Sequence, residues 1–309
     1  MTLLAVHSAG ALRGSVPVDQ PAPGPWTQDD ETARLSASER AAEATVGPLV
    51  PAGSIPLVLF HAYPLSSAMW APLVAEMPDL PILEIDLPGA GFSPTIEPVT
   101  IEAAAGAAAS VLRELGVRQA VIGGISMGGY VALALLRAHP ELFAGLVLMN
   151  TKATADTPAA RAGRLEVARR VLAEGSVGAL RPMASQLVSA QSQANQPDLV
   201  GRLERWIGEA TPAGVAWAQE AMASREETLG ALRSFGVPAA VLAGEADPFV
   251  SLADAEAMAD AIGPGTYFDV LSGVGHLCPL EVPNSVSPTI RQFYRRVLRL
   301  DLARGRAPA

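Results

Sequence analysis

Ser126 stands between Gly124 and Gly128 in the stretch Gly123-Gly-Ile-Ser-Met-Gly-Gly-Tyr130. A short apolar run, Gln119-Ala-Val-Ile122, precedes it, and a strong helix former, Val131-Ala-Leu-Ala-Leu-Leu136, follows. A serine on a sharp strand-to-helix turn has the placement of a nucleophile. Such a turn is cramped, and side chains at 124 or 128 would strike the neighbouring strand and helix. Glycine removes that collision. A serine hydroxyl is a poor nucleophile until a base takes its proton, and that base is usually a histidine oriented by a carboxylate.

The chain has four histidines, so the base can be sought by elimination. His7 lies in a poorly patterned leading segment. His139 ends the helix that follows Ser126, just before Pro140. His61 directly follows an apolar strand, where it is expected to order a loop. His276 lies in Gly273-Val-Gly-His276-Leu, a glycine-bracketed loop after the last strand. Loops at the carboxyl ends of parallel strands are where such sheets place their chemistry, which selects His276. Asp247, in Gly244-Glu-Ala-Asp247-Pro, is the carboxylate on the same reasoning. Glu245 is its runner-up, and Asp269 falls inside a predicted strand. Acyl transfer also needs donors for a developing oxyanion. The backbone N–H of Met127 supplies one, and that of Tyr63, in His61-Ala-Tyr-Pro64, is the best second.

These residues require a parallel sheet to hold them. Strands are predicted at Leu57-Val-Leu-Phe60, Ile82-Leu-Glu-Ile85, 119–122, Leu146-Val-Leu-Met149, 238–243 and 267–271. Thr100 can cap a helix whose apolar positions Ile101, Ala105, Ala108, Leu112 and Leu115 recur at steps of four and three, with Gly116 as its stop. Further helices are expected at 252–261 and 285–300, the last with Val286, Ile290, Phe293, Val297 and Leu300 on one stripe. Alternating strands and helices imply β-α-β units. Residues 152–232 break the pattern with helical runs alone, at 161–173, 178–189, 199–210 and 214–223. The expected organisation is an arm at 1–54, an α/β core at 55–151 and 233–309, and a helical cap at 152–232. The arm holds four prolines within residues 15–25 and helical leanings within 31–45.

Bulk properties narrow the function. The chain has 309 residues, of which 50% are hydrophobic and 17% charged, which describes a globular protein. A net charge of −9 argues against nucleic acid as a partner. No apolar run approaches the roughly 18 residues needed to span a bilayer. The first residues carry no basic n-region, so a signal peptide is not expected. The single cysteine, Cys278, forms no internal disulfide, suits a reducing cytoplasm and reads as a small buried filler. The glycines around Ser126 never form Gly-x-Gly-x-x-Gly, and no Lys-Ser/Thr follows them, which removes dinucleotide and P-loop readings. Four scattered histidines and one cysteine give no metal set. No cofactor is expected.

Four segments carry a family resemblance: Phe60-His-Ala-Tyr-Pro-Leu-Ser-Ser-Ala-Met-Trp70, Asp86-Leu-Pro-Gly-Ala-Gly-Phe-Ser93, Gly124-Ile-Ser-Met-Gly-Gly129 and Gly275-His-Leu with Glu281-Val-Pro283. Over about residues 55–300 they resemble the α/β-hydrolase fold superfamily, most closely its cofactor-free 3-oxoadipate enol-lactonase and carboxylesterase branch. The resemblance implies an α/β-hydrolase fold: a mostly parallel central sheet with helices on both faces and a helical cap insertion. It also implies a Ser126–Asp247–His276 triad, in the chain order of that family, and a Tyr63/Met127 oxyanion hole. Ala62 stands where the family usually has glycine.

The resulting expectation is a serine hydrolase cleaving a small carboxylic ester or lactone through an acyl-enzyme. The alternatives are perhydrolysis or C–C bond hydrolysis on the same triad, or a ligand-binding protein whose triad is idle. Trp70, Met183, Leu187, Trp206, Trp217 and Met222 are candidate apolar substrate contacts, each with ordinary packing as the competing explanation. Arg161, Arg164 and Arg225 could meet a substrate carboxylate, although solvated helix faces explain them more simply. The sequence does not speak to oligomeric state.

Overall fold

The computed structural model describes residues 4–8, 51, 53–234 and 236–303. Seven strands form one sheet among these residues: β1 (Val6–Ser8), β2 (Leu57–Phe60), β3 (Ile82–Ile85), β4 (Ala120–Ile125), β5 (Phe143–Met149), β6 (Ala239–Gly244) and β7 (Tyr267–Leu271). Their spatial order is β1-β3-β2-β4-β5-β6-β7. Every neighbouring pair is parallel except β1 with β3. Strands β2, β4 and β6 are buried along their whole length, as parallel strands covered on both faces must be, and this explains their unbroken apolar runs.

Side chains of alternate residues enter two separate cores. Val58, Phe60, Ile122, Leu146 and Leu148 join one, whereas Leu57, Leu59, Val121, Val147 and Met149 join the other. Helices α1 (Ala71–Ala75), α2 (Ile101–Glu114) and α3 (Met127–Ala138) connect the first strands. Thr100 caps α2 by accepting the Ala103 N–H at 3.0 Å, and Gly116 takes a φ of +72° beyond its end. Between β5 and β6 the chain forms α4 (Pro158–Glu174), a 3-10 helix (Gly178–Gln186), α5 (Ala190–Asn195), α6 (Asp198–Glu209), α7 (Pro212–Ser224) and α8 (Leu229–Arg233). The stretch at 178–186 is 3-10 rather than α, and Pro182 lies inside it.

After β6 come α9 (Leu252–Ile262), α10 (Cys278–Glu281) and α11 (Pro283–Ala303). The stripe on α11 is buried at Val286, Ile290, Phe293 and Val297, but Leu300 is 37% exposed because it lies beyond the edge of the sheet's cover. Gly145 of β5 allows this helix to lie close, since a Cβ there would meet Val297 and Phe293.

Strand β1 was not visible in the sequence. Three residues show no periodicity, and their strand character comes from pairing with β3, His7 lying opposite Glu84. Asp86 and Ser93 hold the strand: His7 Nε2 lies 3.1 Å from Asp86 Oδ2, and Ala5 N donates to Ser93 Oγ at 2.8 Å. The helical leanings at 31–45 lie outside the described residues. No helix is long and apolar enough to cross a membrane among those described.

Candidate active site

Ser126 joins β4 to α3 with φ 53° and ψ −118°. A non-glycine residue with positive φ is strained and persists only where its surroundings over-determine it. Here its N–H donates to Met149 O at 3.1 Å and its carbonyl accepts the Thr151 hydroxyl at 2.8 Å. The flanking glycines are sterically required. A Cβ at 124 would strike the Gly128 carbonyl, and one at 128 would strike the carbonyls of Phe60 and His61 at the end of β2. Gly129, which sequence reasoning did not single out, is closed in the same way by the Thr151 side chain.

The loops after β6 and β7 bring the expected carboxylate and imidazole together. His276 Nδ1 lies 2.7 Å from Asp247 Oδ2, and both side chains are almost wholly buried. Asp247 Oδ1 accepts the N–H groups of Phe249 (2.8 Å) and Val250 (3.2 Å). Burial alone would push the Asp247 carboxyl up. The hydrogen bond and charge of His276, with the Asn150 and Phe249 donors, outweigh it and hold the group below its usual range. An ionised Asp247 can only accept, so His276 carries its proton on Nδ1, which leaves Nε2 with a free lone pair. The Phe249 ring packs edge-on against the imidazole at 5.1 Å.

Asn150 is the residue that sequence reasoning missed. It ends β5 with φ 42°, and its Nδ2 donates to Asp247 Oδ2 at 2.9 Å and to Gly275 O at 3.1 Å. It thus ties the acid to the base loop, while its neighbour Thr151 holds the Ser126 carbonyl. Its position at a carboxyl strand end was the one available signal. The Ser126 hydroxyl itself makes no hydrogen bond to His276 or to any other group among the described residues.

The other candidates for base and acid have other partners. His61 is fully buried: its Nδ1 donates to Ala62 O at 3.0 Å and its Nε2 accepts the Leu87 N–H at 2.9 Å. Both ring nitrogens are consumed in joining the loop after β2 to the loop after β3, and burial pushes its pKa down. His139 meets Arg113 at the end of α3. Glu245 accepts from Ser272 and Gly273 at the surface, and Asp269 accepts from Thr289.

The Ala62 N–H points to Met69 Sδ at 3.3 Å. The backbone N–H groups of Tyr63 and Met127, by contrast, have no acceptor among the described residues. Tyr63 is buried, and burial pushes its hydroxyl up to about 12.

Of the apolar candidates, Trp70 and Leu187 are fully buried in the cluster that also holds Leu59, Ala62 and Met69. Met183 is half-buried between the two cores, and Trp206 packs on the second with Arg202 5.4 Å from its ring centroid. Trp217 Nε1 donates to Ile96 O at 2.7 Å, and Met222 Sδ receives Arg164. Arg161 lies on an exposed helix face. Arg164 and Arg225 do not: both bind Asp156, and Arg225 is buried with its guanidinium 4.1 Å from the Tyr130 ring centroid. Cys278 is fully buried, and burial pushes its thiol well up. No group of three or more His, Cys, Asp or Glu that could hold a metal occurs among the described residues.

Comparison with known proteins agrees with this geometry. A family model described as alpha/beta hydrolase fold matches residues 55–282. The 3-oxoadipate enol-lactonase 2 of Acinetobacter baylyi is 24% identical over 242 residues, covering 78% of this chain and 88% of that enzyme. Lipase LipV of Mycobacterium tuberculosis is 35% identical over 106 residues, which cover 34% of this chain and only 41% of the lipase. Among solved structures, a thermophilic esterase from Thermogutta terrifontis with malate bound is 36% identical with a TM-score of 0.75, covering 80% of this chain and 91% of that one. An enol-lactonase from Burkholderia xenovorans is 25% identical with a TM-score of 0.71, covering 78% and 92%.

Proposed function

The chain belongs to the alpha/beta hydrolase fold family, and on that footing we propose that it is a serine hydrolase cleaving a small carboxylic ester or lactone through an acyl-enzyme. One observation carries the reading: an imidazole clamped through Nδ1 by a buried carboxylate, on the loop bonded to Asn150, whose neighbour Thr151 bonds the carbonyl of a strained serine.

The chemistry follows from the free valences. His276 Nε2 takes the Ser126 proton as Oγ attacks the substrate carbonyl. The new oxyanion lies against the N–H groups of Tyr63 and Met127, the two donors left without acceptors. Asp247 keeps the imidazole tautomer and stabilises the imidazolium. The proton then passes to the leaving alkoxide, and water attacks the acyl-enzyme with His276 again as base. The hydrogen bond between Ser126 and His276 closes in the substrate complex, where such bonds tighten. The esterase and enol-lactonase names of the relatives support ester or lactone carbonyls as the substrate class. Met183, Trp206, Trp217, Met222, Trp70 and Leu187 remain the candidate apolar contacts for the acyl group.

A fluorophosphonate probe tests the nucleophile and p-nitrophenyl esters test turnover. The wild type labels at Ser126 and turns over ester, Ser126→Ala does neither, and His276→Ala loses about 10⁴- to 10⁶-fold in kcat. Near-normal esterase activity in His276→Ala sinks the assignment. Product analysis with peroxide present separates ester cleavage from peracid formation.

A further inference from the structure

We propose that Glu281 is a positioning residue for the general base, fastening the His276 loop to the cap segment that precedes α5; the proposal rests on the serine-hydrolase reading above. Glu281 is 3% exposed at the end of α10. Its Oε2 accepts the Gly275 N–H at 2.9 Å and its Oε1 accepts the Leu277 N–H at 3.1 Å. These two amides flank His276. One carboxylate therefore fixes the peptide units on both sides of the imidazole, and none of the ion pairs among the described residues involves Glu281.

A third bond leaves the loop. Glu281 Oε2 also accepts the N–H of Ser189 at 2.8 Å, and Ser189 caps α5 by accepting the Ser192 N–H at 3.1 Å. Two neighbouring bonds reinforce the junction: Gln196 Nε2 donates to the Glu281 carbonyl at 2.7 Å, and Leu277 N lies 3.1 Å from Leu187 O. The two segments are in close contact, since a Cβ at Gly275 would lie 2.5 Å from the Ser189 nitrogen. No side-chain hydrogen bond of Asp247 or Asn150 reaches the cap among the described residues. Asp247 sets the tautomer and the rotation of the ring, whereas Glu281 sets where the backbone carrying the ring sits relative to the cap. A displacement of residues 187–196 reaches the base loop through this buried carboxylate and through the Leu277–Leu187 bond beside it.

Glutamine at 281 keeps the shape but turns one acceptor oxygen into an NH₂ group that faces backbone donors. We expect Glu281→Gln to lower kcat by about 10²-fold, the cost of ångström-scale misplacement, with KM changed little. Amide exchange at Ser189, Gly275 and Leu277 should quicken together, and Glu281→Asp, which retains both acceptors, should recover part of kcat. A folded Glu281→Gln protein with wild-type kcat, or one impaired through KM alone, overturns the proposal. Should that variant not fold, Ser189→Pro tests the cap arm. Ser189 has φ −66°, within the range of proline, so the substitution removes the N–H and displaces the Glu281 oxygen 2.8 Å from that nitrogen. Ser189→Ala loses the same hydroxyl and keeps the N–H. Lower kcat in Ser189→Pro than in Ser189→Ala supports the link, and equal kcat refutes it. If the wild type itself neither labels with fluorophosphonate nor hydrolyses ester, the hydrolase reading fails and this proposal falls with it.

Discussion

Asn150→Ala separates the support of the acid from the acid itself. The substitution removes the bond from Nδ2 to the Asp247 carboxylate, worth about 1.5–3 kcal/mol, and the bond to Gly275 O, worth about 0.5–1.5 kcal/mol. Alanine at φ 42° adds about 1 kcal/mol, because asparagine tolerates the left-handed region better. Against these losses, the buried Asn150 Oδ1 has no partner, and its removal returns about 1–2 kcal/mol. The net cost is about 1–4.5 kcal/mol. At roughly 2 °C per kcal/mol for a chain of this size, Tm falls by about 2–9 °C. Activity falls less than in a triad variant, because Asp247 keeps His276, Phe249 and Val250; we expect about tenfold in kcat, the low end for a misplaced catalytic group. Thermal denaturation followed by circular dichroism and steady-state hydrolysis of a p-nitrophenyl ester measure the two effects. Unchanged Tm together with unchanged kcat would show that Asn150 does not join the acid to the base loop, and the reasoning would be wrong.

Two further outcomes follow from the same geometry. Ser126→Gly should abolish ester turnover yet raise stability by about 1 kcal/mol through relief of positive-φ strain, read as a higher urea midpoint; a lower midpoint would contradict the strain argument. Asp247 is held below its usual range in the fold, so its contribution to stability is complete above the unfolded carboxyl value near about 4 and is lost as pH falls through the lower folded value. The stability gap between wild type and Asp247→Asn should therefore narrow as pH falls below about 4. Urea midpoints between about pH 4 and pH 2 check this, and a gap that does not narrow there refutes it.

Wherever a local constraint was strong, it could be read from residue types and spacing. Strands β2, β4 and β6 announced themselves because strands buried on both faces must be apolar throughout. Gly124 and Gly128 were legible because the turn at Ser126 excludes a Cβ on either side. Asp247 and His276 were found because each follows a predicted strand, and their 2.7 Å contact gives that order a geometry. Ser126 thus moved from a residue in a short pattern to a strained residue flanked by two unused amides.

Other features depend on partners distant in the chain, which no local pattern encodes. Strand β1 exists through its pairing with β3. Arg164 and Arg225 read as solvated because charge usually is, yet Asp156 draws them inward. The roles of Asn150 and Glu281 rest on bonds to residues 97 and 92 positions away, Asp247 and Ser189 respectively. The sequence alone determined the parallel strands β2 to β7 and the turn at Ser126, since these are specified by apolar runs and by steric exclusion within a few residues. Only the tertiary structure decided what holds Asp247 and His276 still, because hydrogen-bond complementarity between loops appears only once the sheet has set the loops side by side.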